Sequence, residues 1–113
     1  MQNYYKVDKK QITDKKACFD VSLIPDCEVY AGHFPNHPIA PGACSIEMIR
    51  QCISSLLQRE IQFSKIHQCK FISPINPNVH KHLQLTFTNN EDKWIATVVF
   101  GEQLLMRLKA EIV

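Results

Sequence analysis

Polar and apolar residues interleave strictly over 17–24, where Cys18, Asp20 and Ser22 alternate with Phe19, Val21 and Leu23. A period of two places alternate side chains on opposite faces, so this stretch predicts a half-buried strand, and Tyr5–Ile12 before it reads the same way. Pro25 and Asp26 then turn the chain. Over 43–58 the period changes: Ile46, Ile49, Ile53, Leu56 and Leu57 recur at helical spacing, and Met48 and Cys52 widen the stripe. Glu47, Gln51, Ser54, Ser55 and Gln58 gather on the other side, so the pattern predicts one long, largely buried helix. Five strand-like runs follow, over 61–66, 67–72, 81–89, 94–100 and 103–113, with Asn89-Asn90-Glu91-Asp92 and Gly101-Glu102 as hairpin turns. One helix among many antiparallel strands implies an α+β fold in which a sheet wraps the helix. Such a sheet leaves an edge to cover, which predicts a homodimer with a continuous sheet.

Bulk properties narrow this picture without identifying a chemistry. The 113 residues, with no repeat, linker or low-complexity tract, predict one domain over 1–113. A domain of that size buries about two-thirds of the surface that its unfolded chain exposes. The cysteines, Cys18, Cys27, Cys44, Cys52 and Cys69, are odd in number and contain no Cys-x-x-Cys pair, so reduced thiols are expected rather than a disulfide framework or a zinc ribbon. The polar start (Gln2, Asn3, Lys6, Asp8, Lys9, Lys10) lacks the apolar core of a signal peptide, and no apolar run is long enough to span a bilayer. A soluble, cytoplasmic protein without membrane contact is expected. A net charge of +2 with no basic, aromatic-interleaved patch argues against nucleic acid, yet tolerates an acidic partner.

The chemistry concentrates in Gly32-His33-Phe34-Pro35-Asn36-His37-Pro38-Ile39-Ala40-Pro41-Gly42, which holds three of the six prolines and two of the three glycines. A proline-stiffened loop presents His33, and Pro41-Gly42 opens the helix that carries Glu47. Base, backbone dipole and acid are the parts of a proton-transfer site. At the helix start the first N–H groups lack intrahelical partners, so Gly42 N–H is placed to hold an oxygen on which negative charge develops, or Pro41-Gly42 merely starts the helix; both readings can hold together.

The run His33-Phe34-Pro35, Pro38-Ile39, Pro41-Gly42, then Glu47 and Gln51, resembles the 3-hydroxyacyl-acyl carrier protein dehydratases of the FabZ type. Phe71-Ile72-Ser73-Pro74-Ile75-Asn76-Pro77 is similar to that family's Phe-x-x-Pro-Val-x-Pro-Gly turn. The resemblance covers roughly residues 17 to 113 and implies a hotdog fold. It implies that His33 and Glu47 are the catalytic pair, meeting across a dimer interface, with Gln51 positioning a water and Phe34, Pro35, Pro38, Ile39 and Pro41 shaping the substrate loop. Glu47 in place of Asp resembles the dehydratase-only branch. This sequence departs from the pattern at Asn36 and Asn78, where Gly is usual, and in having no Pro-His-Arg-x-Pro segment ahead of the first strand. Asn tolerates left-handed angles better than most residues, so the loop survives the first change. The shortened start bears on substrate length and assembly.

Each candidate has a plainer alternative. His33 is a general base, since a neutral imidazole accepts a proton near pH 6.5, or a turn histidine capping a carbonyl. Glu47 is an acid whose pKa partial desolvation raises, or a surface carboxylate paired with Arg50 at i+3. Cys44 in the first helical turn is a nucleophile of lowered pKa or, preferably, a small buried hydrophobe. His80 and His82 share one side of a strand and form a metal pair only if further ligands join them, which the spacing does not supply; no metal is expected. His37 is read as a solvated loop residue. Arg50, Arg59, Lys65 and Lys70 form a cationic rim for a phosphopantetheine carrier or a solvated surface.

The combined expectation is dehydration of a 3-hydroxyacyl thioester in fatty acid or related acyl-chain biosynthesis. His33 removes the 2-proton, Gly42 holds the thioester oxygen and Glu47 protonates the departing hydroxyl. The substrate arrives on acyl carrier protein or as acyl-CoA, no cofactor is required, and the assembly is a homodimer or a higher oligomer. The alternatives are a hotdog acyl thioesterase and a non-catalytic acyl-carrier-binding subunit.

Overall fold

Among the described residues six strands and one long helix follow one another in the order β1 (Tyr5–Ile12), β2 (Lys16–Leu23), a short 3-10 turn (Glu28–Tyr30), α1 (Gly42–Leu57), β3 (Phe63–Phe71), β4 (His82–Asn90), β5 (Lys93–Phe100) and β6 (Gln103–Ile112). The structure, a computed structural model, describes residues 4–30 and 39–113. His33, Phe34, Pro35, Asn36, His37 and Pro38 therefore lie outside the described residues.

The strands form one antiparallel sheet in the order β1-β2-β4-β5-β6-β3. Alternation in β2 behaves as its sequence dictates: Ala17, Phe19, Val21 and Leu23 are buried, and the residues between them are not. Leu83, Leu85 and Phe87 of β4, Ala96 and Val98 of β5, and Leu105, Met106, Leu108 and Ala110 of β6 join them in the core. Against this layer α1 lays Met48, Ile49, Cys52 and Ile53, each essentially without solvent exposure. The wrapped-helix α+β architecture is that of the hotdog fold. Helix α1 starts at Gly42 behind Pro41, whose φ of −60° and ψ of 139° stop the helix from extending backwards, and it stops at Gln58 in the left-handed region.

The two runs expected over 61–66 and 67–72 are a single strand. β3 pairs with β6 through two irregularities, one between Phe63 and Lys65 and one between Ile66 and Gln68. Each inserts an extra residue, so the side-chain phase resets and a continuous strand reads like two. The register sets Phe63 opposite Ile112, Ile66 opposite Ala110, Cys69 opposite Leu108 and Phe71 opposite Met106. Residues spaced by three, three and two thus share the face of the sheet that carries the core.

Candidate functional site

Helix α1 and two loops assemble the site. Ala40 N–H donates to Ile75 O at 2.7 Å, which stitches the segment before the helix to the Phe71–Pro77 turn. The turn itself hangs from β6, because Leu105 O accepts from both Ile72 N–H and Ser73 N–H. Between the two segments lies a cleft of about 400 Å³ bordered by Ile39, Gly42, Ser45, Phe71, Ile72 and Ile75 among others. The two motifs picked out in the sequence, distant along the chain, therefore form the walls of one cavity.

Gly42 is the point of closest approach. A Cβ built there would come within 2.8 Å of the end of the Phe71 ring. The helix that starts at Gly42 has no side-chain cap, so its first-turn N–H groups are not claimed by a capping side chain. Gly42→Ala is expected to push the half-exposed Phe71 ring aside at a cost of about 1 kcal/mol or less in stability, because the ring is free to turn. The larger effect is on KM, which should rise; an unchanged KM in steady-state kinetics would show that substrate does not pass this wall.

Glu47 does not border that cleft. Five residues on from Gly42, it stands about 140° around the helix axis at 100° per residue. There the Arg50 guanidinium forks it: Nε donates to Oε1, and Nη2 donates to Oε2 at 2.9 Å. Arg50 also donates through Nη1 to Glu60 Oε2 at 3.0 Å and to the Ile61 carbonyl at 3.1 Å. The ion pair with Arg50 holds the Glu47 carboxyl below the usual carboxylate range, against the opposing effect of burial. This corrects the expectation of a raised pKa: desolvation is present, but the bidentate cation outweighs it. The stabilisation from the pair is present above the ordinary glutamate pKa and is lost as pH falls through the depressed value.

Gln51, four residues on, accepts a hydrogen bond at Oε1 from the Tyr5 hydroxyl at 2.8 Å, and its amide helps, less than Arg50 does, to hold the Glu47 carboxyl down. Burial keeps the Tyr5 phenol protonated far above neutrality. Sequence reasoning missed Tyr5, which sits on β1 and meets α1 only through tertiary packing.

The remaining candidates fall into place individually. Arg50 is neither a rim cation nor a solvated residue, since its side chain is mostly buried and spent on Glu47, Glu60 and Ile61. Arg59, Lys65 and Lys70 are exposed, and Arg59 Nη1 donates to Val113 O at 3.2 Å. His80 precedes β4 instead of sharing a strand face with His82. Its buried ring accepts from Asn76 N–H at Nδ1, 2.9 Å, while His82 is exposed and lies 3.0 Å from Ser22 Oγ. No cluster among the described residues is arranged to hold a metal ion. Burial raises the Cys44 thiol pKa, the opposite of an activated nucleophile. Among the described residues no helix is long and apolar enough to cross a membrane.

Residues 9–105 match the ApeI-like family, described as ApeI dehydratase. The chain belongs to the ApeI-like dehydratase family. Its fold is also that of a protein in the dehydratase heterocomplex ApeI:P from Xenorhabdus doucetiae, at a TM-score of 0.79 and 24% identity over 95% of this chain and 97% of that one. An uncharacterized protein from Erwinia carotovora superposes at a TM-score of 0.69 and 21% identity, covering 100% and 97% of the two chains. Among curated proteins, this ApeI-like chain is similar to the 3-hydroxyacyl-[acyl-carrier-protein] dehydratases FabZ of Koribacter versatilis (30% identical, 68% of this chain and 56% of that protein) and Fusobacterium nucleatum (36% identical, 44% and 39%). The chain spans about half the length of the curated relatives it matches.

Proposed function

We propose that this ApeI-like chain dehydrates a 3-hydroxyacyl thioester, borne on acyl carrier protein or coenzyme A, to the trans-2-enoyl thioester. The observation that carries the reading is the meeting of the Ile39–Gly42 and Phe71–Ile75 walls over an uncapped helix start. That geometry offers an apolar slot for an acyl chain, with an N–H donor at Gly42 for its thioester oxygen. His33 takes the proton from C2, and the electron pair moves onto the thioester oxygen. It then returns to form the C2–C3 double bond as the C3–oxygen bond breaks. Because Arg50 holds Glu47 as a carboxylate, the proton that the departing hydroxyl needs comes back from the His33 imidazolium, and water leaves. Glu47 accepts the hydrogen bond of that hydroxyl, with Gln51 and a water completing its surroundings.

The placement of Gly42 and Glu47 on different sides of one helix supports a site built from two chains, with His33 and Gly42 from one and Glu47 from the other. The strand β3 supports the same assembly: it ends the sheet within the chain and exposes Ile66 at 43% and Phe71 at 50%, more apolar surface than an edge strand ordinarily leaves to water. We therefore read the protein as a homodimer, acting in fatty acid or related acyl-chain synthesis in the cytoplasm without a cofactor.

A second reading, a hotdog thioesterase, draws support from the same ion pair, since an ionised Glu47 can direct water at the thioester carbonyl. Incubation with a panel of 3-hydroxyacyl thioesters separates the possibilities. Growth of the enoyl thioester absorbance is the expected result; release of free thiol would make the protein a thioesterase, and neither product would leave a carrier-binding subunit.

A further inference from the structure

We propose that Arg50 is a positioning residue of this site, which fixes the Glu47 carboxylate as an oriented hydrogen-bond acceptor for the departing hydroxyl; the inference rests on the dehydratase reading above. The fork engages both carboxylate oxygens, a geometry that a single-point cation cannot reproduce. What makes it a brace and not an ordinary i,i+3 surface pair is its far end. Arg50 Nη1 reaches the carbonyl of Ile61, a residue with no solvent exposure. Ile61 N–H in turn donates to Ser54 Oγ at 3.1 Å, so the peptide that anchors the guanidinium is itself bonded back to α1. Glu47 thus inherits its orientation from the core through Arg50, Ile61 and Ser54. The Glu60 contact adds little to this, because that carboxylate is 82% exposed.

The other groups facing Glu47 do not substitute for the brace. From β1 comes the Tyr5 hydroxyl, which stays neutral and donates to Gln51. From the connection after α1 comes Glu60, of like charge. Lys10 of β1 is engaged about two turns further along α1, with Ser55 Oγ at 2.9 Å. Among the described residues Arg50 is therefore the cation bonded to Glu47.

Arg50→Met keeps the packing of the apolar stem and removes the fork, and Arg50→Lys keeps the charge without the fork. Two readouts are taken on each folded variant. The first is kcat and KM for the 3-hydroxyacyl thioester turned over fastest by the wild type. The second is the carbon-13 carboxyl titration of Glu47, assigned by its absence in Glu47→Gln and measured without substrate. The expected result for Arg50→Met is a fall in kcat of about 10²-fold, as for a misplaced group of about 1 Å, with KM changed far less and the Glu47 midpoint moved upward. Arg50→Lys should recover part of the midpoint and less of kcat. An unchanged kcat in Arg50→Met, with or without a moved midpoint, overturns the proposal, as does a midpoint that stays in place. A wild type that dehydrates nothing while the midpoint still moves sinks the dehydratase reading and with it the catalytic role of Arg50, leaving only a structural brace.

Discussion

Replacement of His33 by alanine lowers turnover of a 3-hydroxyacyl thioester by about 10²- to 10⁴-fold, the usual worth of a general base, while the protein stays folded. The size of the effect follows from the chemistry. The 2-proton of a thioester is weakly acidic, Glu47 is tied up with Arg50, and Cys44 is held as a thiol, so neither of these other candidate groups is poised to take over. Stability should be spared because the change removes one imidazole, while a core of described residues stands in the sheet and helix: Phe19, Val21, Leu85, Phe87, Met48, Ile49 and Leu108 are buried. The ends of the loop are also tied independently, by Tyr30 N–H to Cys27 O and by Ala40 N–H to Ile75 O. Near wild-type turnover in a folded His33→Ala protein would remove the mechanism. The measurement is a continuous enoyl absorbance assay beside a denaturant melt.

The second expected result concerns assembly. His33→Ala and Glu47→Gln proteins, each inactive alone, regain activity when mixed under conditions that allow subunit exchange. A mixed dimer has one site with both defects and one with neither, so about half of the wild-type activity per mixed dimer is the ceiling. Glu47→Gln keeps the shape and loses the charge, so its own stability loss should be no more than the few tenths of a kcal/mol of an exposed i,i+3 pair plus the cost of loosening the partly buried Arg50. If exchange is demonstrated by mass and no activity returns, the two groups serve one chain or the site is misassigned.

Local pattern made most of the fold legible in the sequence. The stripe marked α1 because Met48, Ile49, Cys52 and Ile53 are buried, although Ile46 and Leu56 are only partly covered and Leu57 is exposed, and its ends, read as 43–58, lie one residue from the observed Gly42–Leu57. Gln58 looked helical because its left-handed backbone leaves no trace in residue type. β3 looked like two strands because the inserted residues break the alternation that a reader counts. The two walls of the cleft were legible where residue type and spacing speak together, as at Gly42 and in the Phe71–Pro77 turn. It was not legible where a distant partner decides the chemistry. An Arg50 pair with Glu47 is visible at i+3, but whether it outweighs desolvation depends on how firmly Arg50 is held, and the Ile61 carbonyl that holds it is a tertiary contact. Tyr5 and Gln51 lie 46 residues apart and share no motif.

The inserted residues of β3 also determine which length changes the chain can survive. Strand positions behave there like a reading frame in which His67 is the spare letter: deleting it would leave Ile66 opposite Ala110 and Gln68 opposite Lys109, whereas deleting the paired Cys69 would bring Gln68 opposite Leu108, on the core face. Substitution or loss of His67 therefore costs mainly its contact with Glu111, whereas loss of a paired neighbour puts a polar side chain against the core. Among relatives, insertions and deletions should therefore spare the paired positions of 63–71 and collect at the turn 91–92, where Glu91 already sits at a φ of 59° and no side-chain phase is at stake.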